Sequence, residues 1–111
     1  MVDLSFLEKF TKGDSKKMKR YISIYLNTAP GTFKEMELNI IDQDWEQLRI
    51  NAHSLKPQAD YMGIPSLKTA LMGIEQSVFE KQFELLPELY KKALSIHTTS
   101  ISHLEEVVQS Y

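Results

Sequence analysis

The apolar positions of this chain recur at intervals of three and four, with no sustained alternation and no Asn-Gly or Asp-Gly hairpin signal. That spacing keeps one face of a 3.6-residue helix apolar, so the pattern predicts helices throughout. Residues 3–10 read as a short helix with Leu4, Leu7, Phe6 and Phe10 turned inward. Lys12-Gly13 stops it, and Asp14 or Ser15 can cap the next helix by accepting from its free first-turn N–H groups. The second stripe, Met18, Ile22, Tyr25, Ala29, Phe33, Met36 and Ile40, passes straight through Pro30. A proline removes one helical hydrogen bond and crowds the preceding turn. Either one kinked helix or two helices, with Pro30 in a first turn, fits that pattern.

Residues 42–44 make the next break, with Asp44 as N-cap. The third helix runs from Trp45 towards Met62, and Gly63 suits the left-handed position just beyond a helix end. The fourth starts near Pro65-Ser66 and carries Leu67, Leu71, Ile74 and Val78. The fifth starts near Pro87 and carries Leu86, Tyr90, Ala93, His97, Ile101, Leu104 and Val108. Four substantial helices with short connections predict an all-α fold, an antiparallel four-helix bundle with a short extra N-terminal helix lying over it as a lid.

Composition narrows the class. A chain of 111 residues suits one domain, 1–111, with one modest core. A net charge of −2 gives no general attraction to nucleic acid or anionic lipid. The absence of cysteine excludes disulfides and thiolate metal sites. No apolar run reaches the length of a membrane span, and the N-terminus lacks a basic stretch followed by an apolar one. A cytoplasmic monomer with no nucleic acid and no membrane insertion is the expectation.

The informative stretch is residues 50–63. Trp45, Leu48, Ala52, Leu55, Ala59 and Met62 cluster on one side of the helical wheel and form its core face. His53 then points roughly 140° away from the centre of that face, into solvent. Lys56 follows one turn later and Arg49 stands one turn before. A neutral imidazole nitrogen can attack phosphorus, and a nearby lysine can meet phosphoryl oxygens. The acids near His53 in sequence are Glu46 and Asp60. The helix itself offers no oriented acid–base partner, which suits a carrier whose chemistry another protein completes.

Ala52-His53-Ser54-Leu55-Lys56, followed by Met62-Gly63, Leu67 and Leu71, resembles the signature of histidine phosphotransfer (HPt) domains. Asp44-Trp45, Leu48 and the Phe10-Gly13-Asp14 turn are similar to that family too. The resemblance implies a four-helix bundle with an exposed accepting histidine. It implies phosphoryl exchange with an aspartate of a receiver domain, on a response regulator or a hybrid histidine kinase. Carried over by residue, His53 is the acceptor and Lys56 the phosphate-stabilising cation. No cofactor is expected on this chain, any Mg²⁺ belonging to the receiver. One departure stands out. The family usually has glycine directly after the lysine, and here Pro57 and Gln58 follow it. Pro57 adds a ring and cannot donate an N–H to the carbonyl of His53.

Ile50, Pro57 and Tyr61 project beside His53, away from Lys56. Together with Arg49 they are candidates for a docking surface. The competing reading is that the lid or a neighbouring helix covers them. His97 lies on the apolar stripe of the last helix and reads as a core histidine, while His103 reads as a surface residue. Six apart, the two share no face, so they do not form a metal pair. The leading reading is a phosphorelay intermediate with no turnover of its own. The first rival is a receiver-docking module without phosphotransfer. A histidine-dependent hydrolase would need an oriented acid or nucleophile near His53, and a bundle without a site would leave the motif unexplained.

Overall fold

Two aspartates set helix starts where the pattern places them. The computed structural model describes residues 2–111; Met1, the first residue of the domain expected over 1–111, lies outside the described residues. Helix α1 spans Ser5–Thr11, α2 Ser15–Ile41, α3 Trp45–Tyr61, α4 Pro65–Phe79 and α5 Leu86–Gln109. A single 3₁₀ turn, Phe83–Leu85, precedes α5 and was not expected from the pattern. Asp14 accepts from the Lys17 N–H at 3.1 Å and Asp44 from the Gln47 N–H at 3.3 Å, so each satisfies a donor with no helical partner. Helices α4 and α5 have proline in their first turns, where a missing N–H removes no helical bond. No helix among the described residues is long and apolar enough to cross a membrane.

Pro30 does not divide α2, which continues as one helix from Ser15 to Ile41. Pro57 likewise sits inside α3. Both prolines are exposed. On the solvent side, a carbonyl deprived of its helical donor can turn to water. The apolar stripe on the opposite side stays intact and holds the two halves of each helix to the core.

The core takes Met18, Ile22, Tyr25, Ala29, Phe33 and Met36 from α2, and Leu48, Ala52, Leu55 and Ala59 from α3. Leu67, Leu71 and Ile74 come from α4, and Leu86, Ala93 and Leu104 from α5. Ile40, Ile101 and Val108, expected inside, are only half-buried near the helix ends or the edges of the stripes. Trp45 is half-buried and stacks on Phe83, with ring centroids 4.9 Å apart. The 3₁₀ turn thus supplies the face that the indole covers.

The lid differs from expectation in how it packs. Leu7 is its one fully buried hydrophobic side chain, and Leu4 is half-buried. Phe6 and Phe10 stay exposed on one face because a helix of seven residues can aim only one narrow stripe at the core. Their inner faces meet Tyr61 of α3, at 5.6 and 5.2 Å between centroids, and Phe10 also meets Tyr21 of α2. Gly63 anchors the chain ahead of the lid. Its φ is +64°, and a Cβ there would fall 1.5 Å from the Asp3 carbonyl oxygen. The Asp3 N–H donates to the Gly63 carbonyl at 2.8 Å, so only glycine fits both the dihedral and the approach.

Cross-helix contacts fix the relative directions of the helices. Asn39 meets Asn51 while Tyr21 meets Tyr61, so α2 and α3 run in opposite senses. Asp60 meets Lys68 while His53 meets Glu75, which does the same for α3 and α4. Tyr25 meets His97 and Phe33 meets Tyr90 between α2 and α5.

Candidate functional site

Helix α3 holds His53 where the wheel places it. Leu48, Ala52, Leu55 and Ala59 are buried on the opposite face, and the His53 side chain is 66% exposed. Asn51, next to that stripe, is itself buried. Its side-chain N–H donates to Asn39 Oδ1 at 2.9 Å, and its oxygen accepts from Gln47 at 3.3 Å. This polar bridge pins the register of α3 against α2 two residues before His53. The platform under the imidazole is therefore rigid although the ring itself is open.

The structure corrects the expectation that Glu46 and Asp60 are the acids near His53. Glu46 is engaged by the Arg49 guanidinium and Asp60 by Lys68 at 3.1 Å. The acid at the site is Glu75, from α4. His53 Nδ1–H donates to Glu75 Oε2 at 2.9 Å. Glu75 Oε1 lies 2.6 Å from Lys56 Nζ, an ion pair not aligned as a hydrogen bond. One carboxylate thus holds both residues that the sequence singled out. Lys56 is accordingly paired and only 24% exposed.

The chemistry of this trio follows from its donors and acceptors. A carboxylate only accepts, so the bond to Glu75 places the ring proton on Nδ1. The lone pair then sits on Nε2. Glu75 is 18% exposed. Burial pushes its carboxyl up, but the contacts with Lys56 and His53 outweigh burial and hold it below its ordinary value. It is therefore an anion that both fixes the imidazole and can face a positive charge developing on the ring.

Beside the trio is an open groove of about 300 Å³ lined by Arg49, Lys56, Met72, Glu75, Gln76 and Phe79. Met72 is half exposed and Phe79 is 79% exposed, so α4 adds apolar surface on the Lys56 side. Sequence reasoning missed Glu75, Met72 and Phe79. They lie on another helix, and only the α3–α4 register, legible afterwards in the Asp60–Lys68 pair, brings Glu75 to His53 and Met72 and Phe79 to the groove beside Lys56.

On the other side the expected patch divides. Ile50 is 44% exposed and Pro57 is exposed. Tyr61 is half-buried under Phe6, Phe10 and Tyr21, so for this residue the lid does provide the cover. His97 is 2% exposed, shares a 2.6 Å hydrogen bond between its Nδ1 and the Tyr25 hydroxyl, and stacks on Phe33 with centroids 4.3 Å apart. Burial lowers its pKa from 6.5 to about 4. His103 is exposed. Among the described residues, no group of three or more His, Asp and Glu side chains could hold a metal ion.

Comparison with known proteins gives one family. The family model described as Hpt domain matches residues 20–109, a span that includes His53, Lys56 and Glu75. No curated protein and no solved structure gives a match. The match covers most of the chain, which therefore belongs to the Hpt domain family, the domains of histidine phosphotransfer in phosphorelay signalling.

Proposed function

We propose that this chain is a phosphorelay intermediate in which His53 carries the phosphoryl group. The observation that carries the reading is the Glu75 carboxylate, which fixes the Nδ1 proton of an otherwise exposed imidazole and leaves the Nε2 lone pair facing solvent. Nε2 attacks the phosphorus of an aspartyl phosphate on a receiver domain. The N–P bond forms as the P–O bond to the aspartate breaks, and the aspartate leaves as carboxylate. The ring keeps its Nδ1 proton, and its positive charge faces Glu75. Transfer to the next receiver reverses these steps. The opposed pairings of α2 with α3, α3 with α4 and α2 with α5 support reading the long helices as an antiparallel four-helix bundle.

Lys56 has to exchange Glu75 for the phosphoryl oxygens, one turn from His53. Arg49 and the exposed Ile50 and Pro57 flank the ring, and Met72 and Phe79 line the groove beside Lys56 and Glu75. These residues form the docking surface of a receiver on a response regulator or hybrid histidine kinase. Tyr61 supports that surface from beneath the lid. Phosphoryl transfer needs charge neutralisation and in-line positioning, and the Mg²⁺ that serves it belongs to the receiver. The chain acts as a cytoplasmic monomer that does not turn over alone.

Incubation with a receiver charged by acetyl phosphate and Mg²⁺ tests this reading. Acid-labile label on the chain supports it. A receiver that binds without transferring label would instead establish a docking module. Calorimetry with Mg²⁺ and this chain alone is expected to show no tight binding, and a micromolar isotherm would contradict the placement of the metal. Ile50→Asp is expected to slow transfer without loss of helicity, because a charge would be desolvated at the interface. Unfolding of that variant would place Ile50 in the core and the docking surface elsewhere.

A further inference from the structure

The backbone at His53 differs from an ordinary helix in one respect. The carbonyl of each helical residue accepts from the N–H four positions later. For His53 that position is Pro57, which has no N–H. The helix nevertheless continues to Tyr61. His53 and Pro57 are both exposed, so the open position lies on the solvent side of α3, on the same face as the imidazole. In the free protein, water can satisfy this carbonyl. A partner that covers His53 to reach its Nε2 must also cover the adjacent carbonyl and displace that water.

We infer that the His53 carbonyl, left open by Pro57, is a recognition element that selects receivers able to donate a hydrogen bond to it. The inference rests on the reading of His53 as the phosphoryl acceptor. Its physical basis is the asymmetry of buried polar groups. A carbonyl that exchanges water for a protein donor gains or loses little, whereas one buried without a donor is strongly unfavourable. A receiver with an N–H or O–H opposite this position docks freely. One with an apolar side chain there is penalised at every encounter, even if its aspartyl phosphate is correctly placed. The pyrrolidine ring of Pro57 crowds this position and keeps water from re-entering once the partner is seated. Pro57 is therefore a specificity-determining residue that acts through the backbone of its neighbour.

Pro57→Ala restores an N–H to position 57, closes the hydrogen bond to His53 and keeps an apolar side chain. The experiment measures phosphotransfer from a panel of purified, acetyl-phosphate-charged receivers to the wild-type chain and to Pro57→Ala. Selectivity is read as the ratio of kcat/KM between the best and the poorest receiver. The expected result is that this ratio falls about ten-fold in the variant, equivalent to roughly 1.4 kcal/mol. The change should lie in KM, with poor receivers gaining. A second readout is the carbonyl ¹³C shift of His53, which should move on binding of the best receiver to wild type and stay fixed in the variant. Circular dichroism checks that both chains are folded. If wild type accepts label and the ratio is unchanged in Pro57→Ala, the inference is overturned while the acceptor reading stands. If no receiver labels wild type, it is the acceptor reading that fails. A uniform change of rate with all receivers would assign Pro57 a purely structural role and overturn the inference as well.

Discussion

At the scale of single residues, the site is a competition for one carboxylate. Glu75 is shared by His53 and Lys56, so altering it affects both. Glu75→Gln keeps an acceptor for Nδ1–H but removes the charge, and a charge-assisted bond is about twice as strong as a neutral one. Transfer to His53 is expected to slow about ten-fold in that variant, measured by single-turnover labelling from a charged receiver, and an unchanged rate would show that Glu75 is only a structural partner of Lys56. Lys56→Ala should slow transfer or shorten the lifetime of the phosphohistidine, without abolishing label. Lys56 must give up its pair with Glu75 to reach the phosphoryl oxygens, so the net effect is about 1 kcal/mol or less. Unchanged rate and lifetime would make Lys56 a packing and surface charge. The placement of His53 and Lys56 on one exposed face was legible in the sequence because it depends on spacing along one helix. The approach of Glu75 was not, because it depends on the register between two helices, which local periodicity does not encode.

At the scale of elements, stops and starts matter more than propensity. The caps at Asp14 and Asp44 and the stop at Gly63 were readable because each depends on the chemistry of one residue at a known place. The cover over Tyr61 was not, since it requires knowing where α1 lands. Gly63 joins the two cases. Its left-handed φ was expected, but the approach of the Asp3 carbonyl was not. Gly63→Ala combines an unfavourable dihedral with a backbone clash and should destabilise the chain by roughly 2–4 kcal/mol. Urea unfolding checks this, and a loss under about 1 kcal/mol would mean that the segment before α1 moves aside freely. That segment carries the helix whose Phe6 and Phe10 cover Tyr61, so the variant should also expose the Tyr61 ring.

At the scale of the whole molecule, the helical bundle separates its histidines by environment: His53 open on α3, His97 sealed between α2 and α5. His97 is neutral in the fold, with its pKa lowered by burial from 6.5 to about 4. The unfolded chain therefore takes up a proton before the folded one does. The stability this group contributes is complete above about pH 6.5 and is lost as pH falls towards 4, by about 3 kcal/mol at most. Chemical denaturation between pH 7 and pH 4 should show that slope, and His97→Gln should flatten it; an equal slope in the variant would place the acid sensitivity elsewhere. The interior position of His97 was legible from its stripe, whereas its bond to Tyr25 required the α2–α5 pairing. The same separation makes the central claim directly testable. The decisive measurement is labelling of the whole chain and of His53→Gln by a charged receiver, with the modified residue located by mass spectrometry under alkaline conditions. The account predicts one acid-labile phosphoryl group on His53 in the native chain, and none on the variant despite unchanged helicity. Label persisting in folded His53→Gln, or found on His97 or His103, would contradict it.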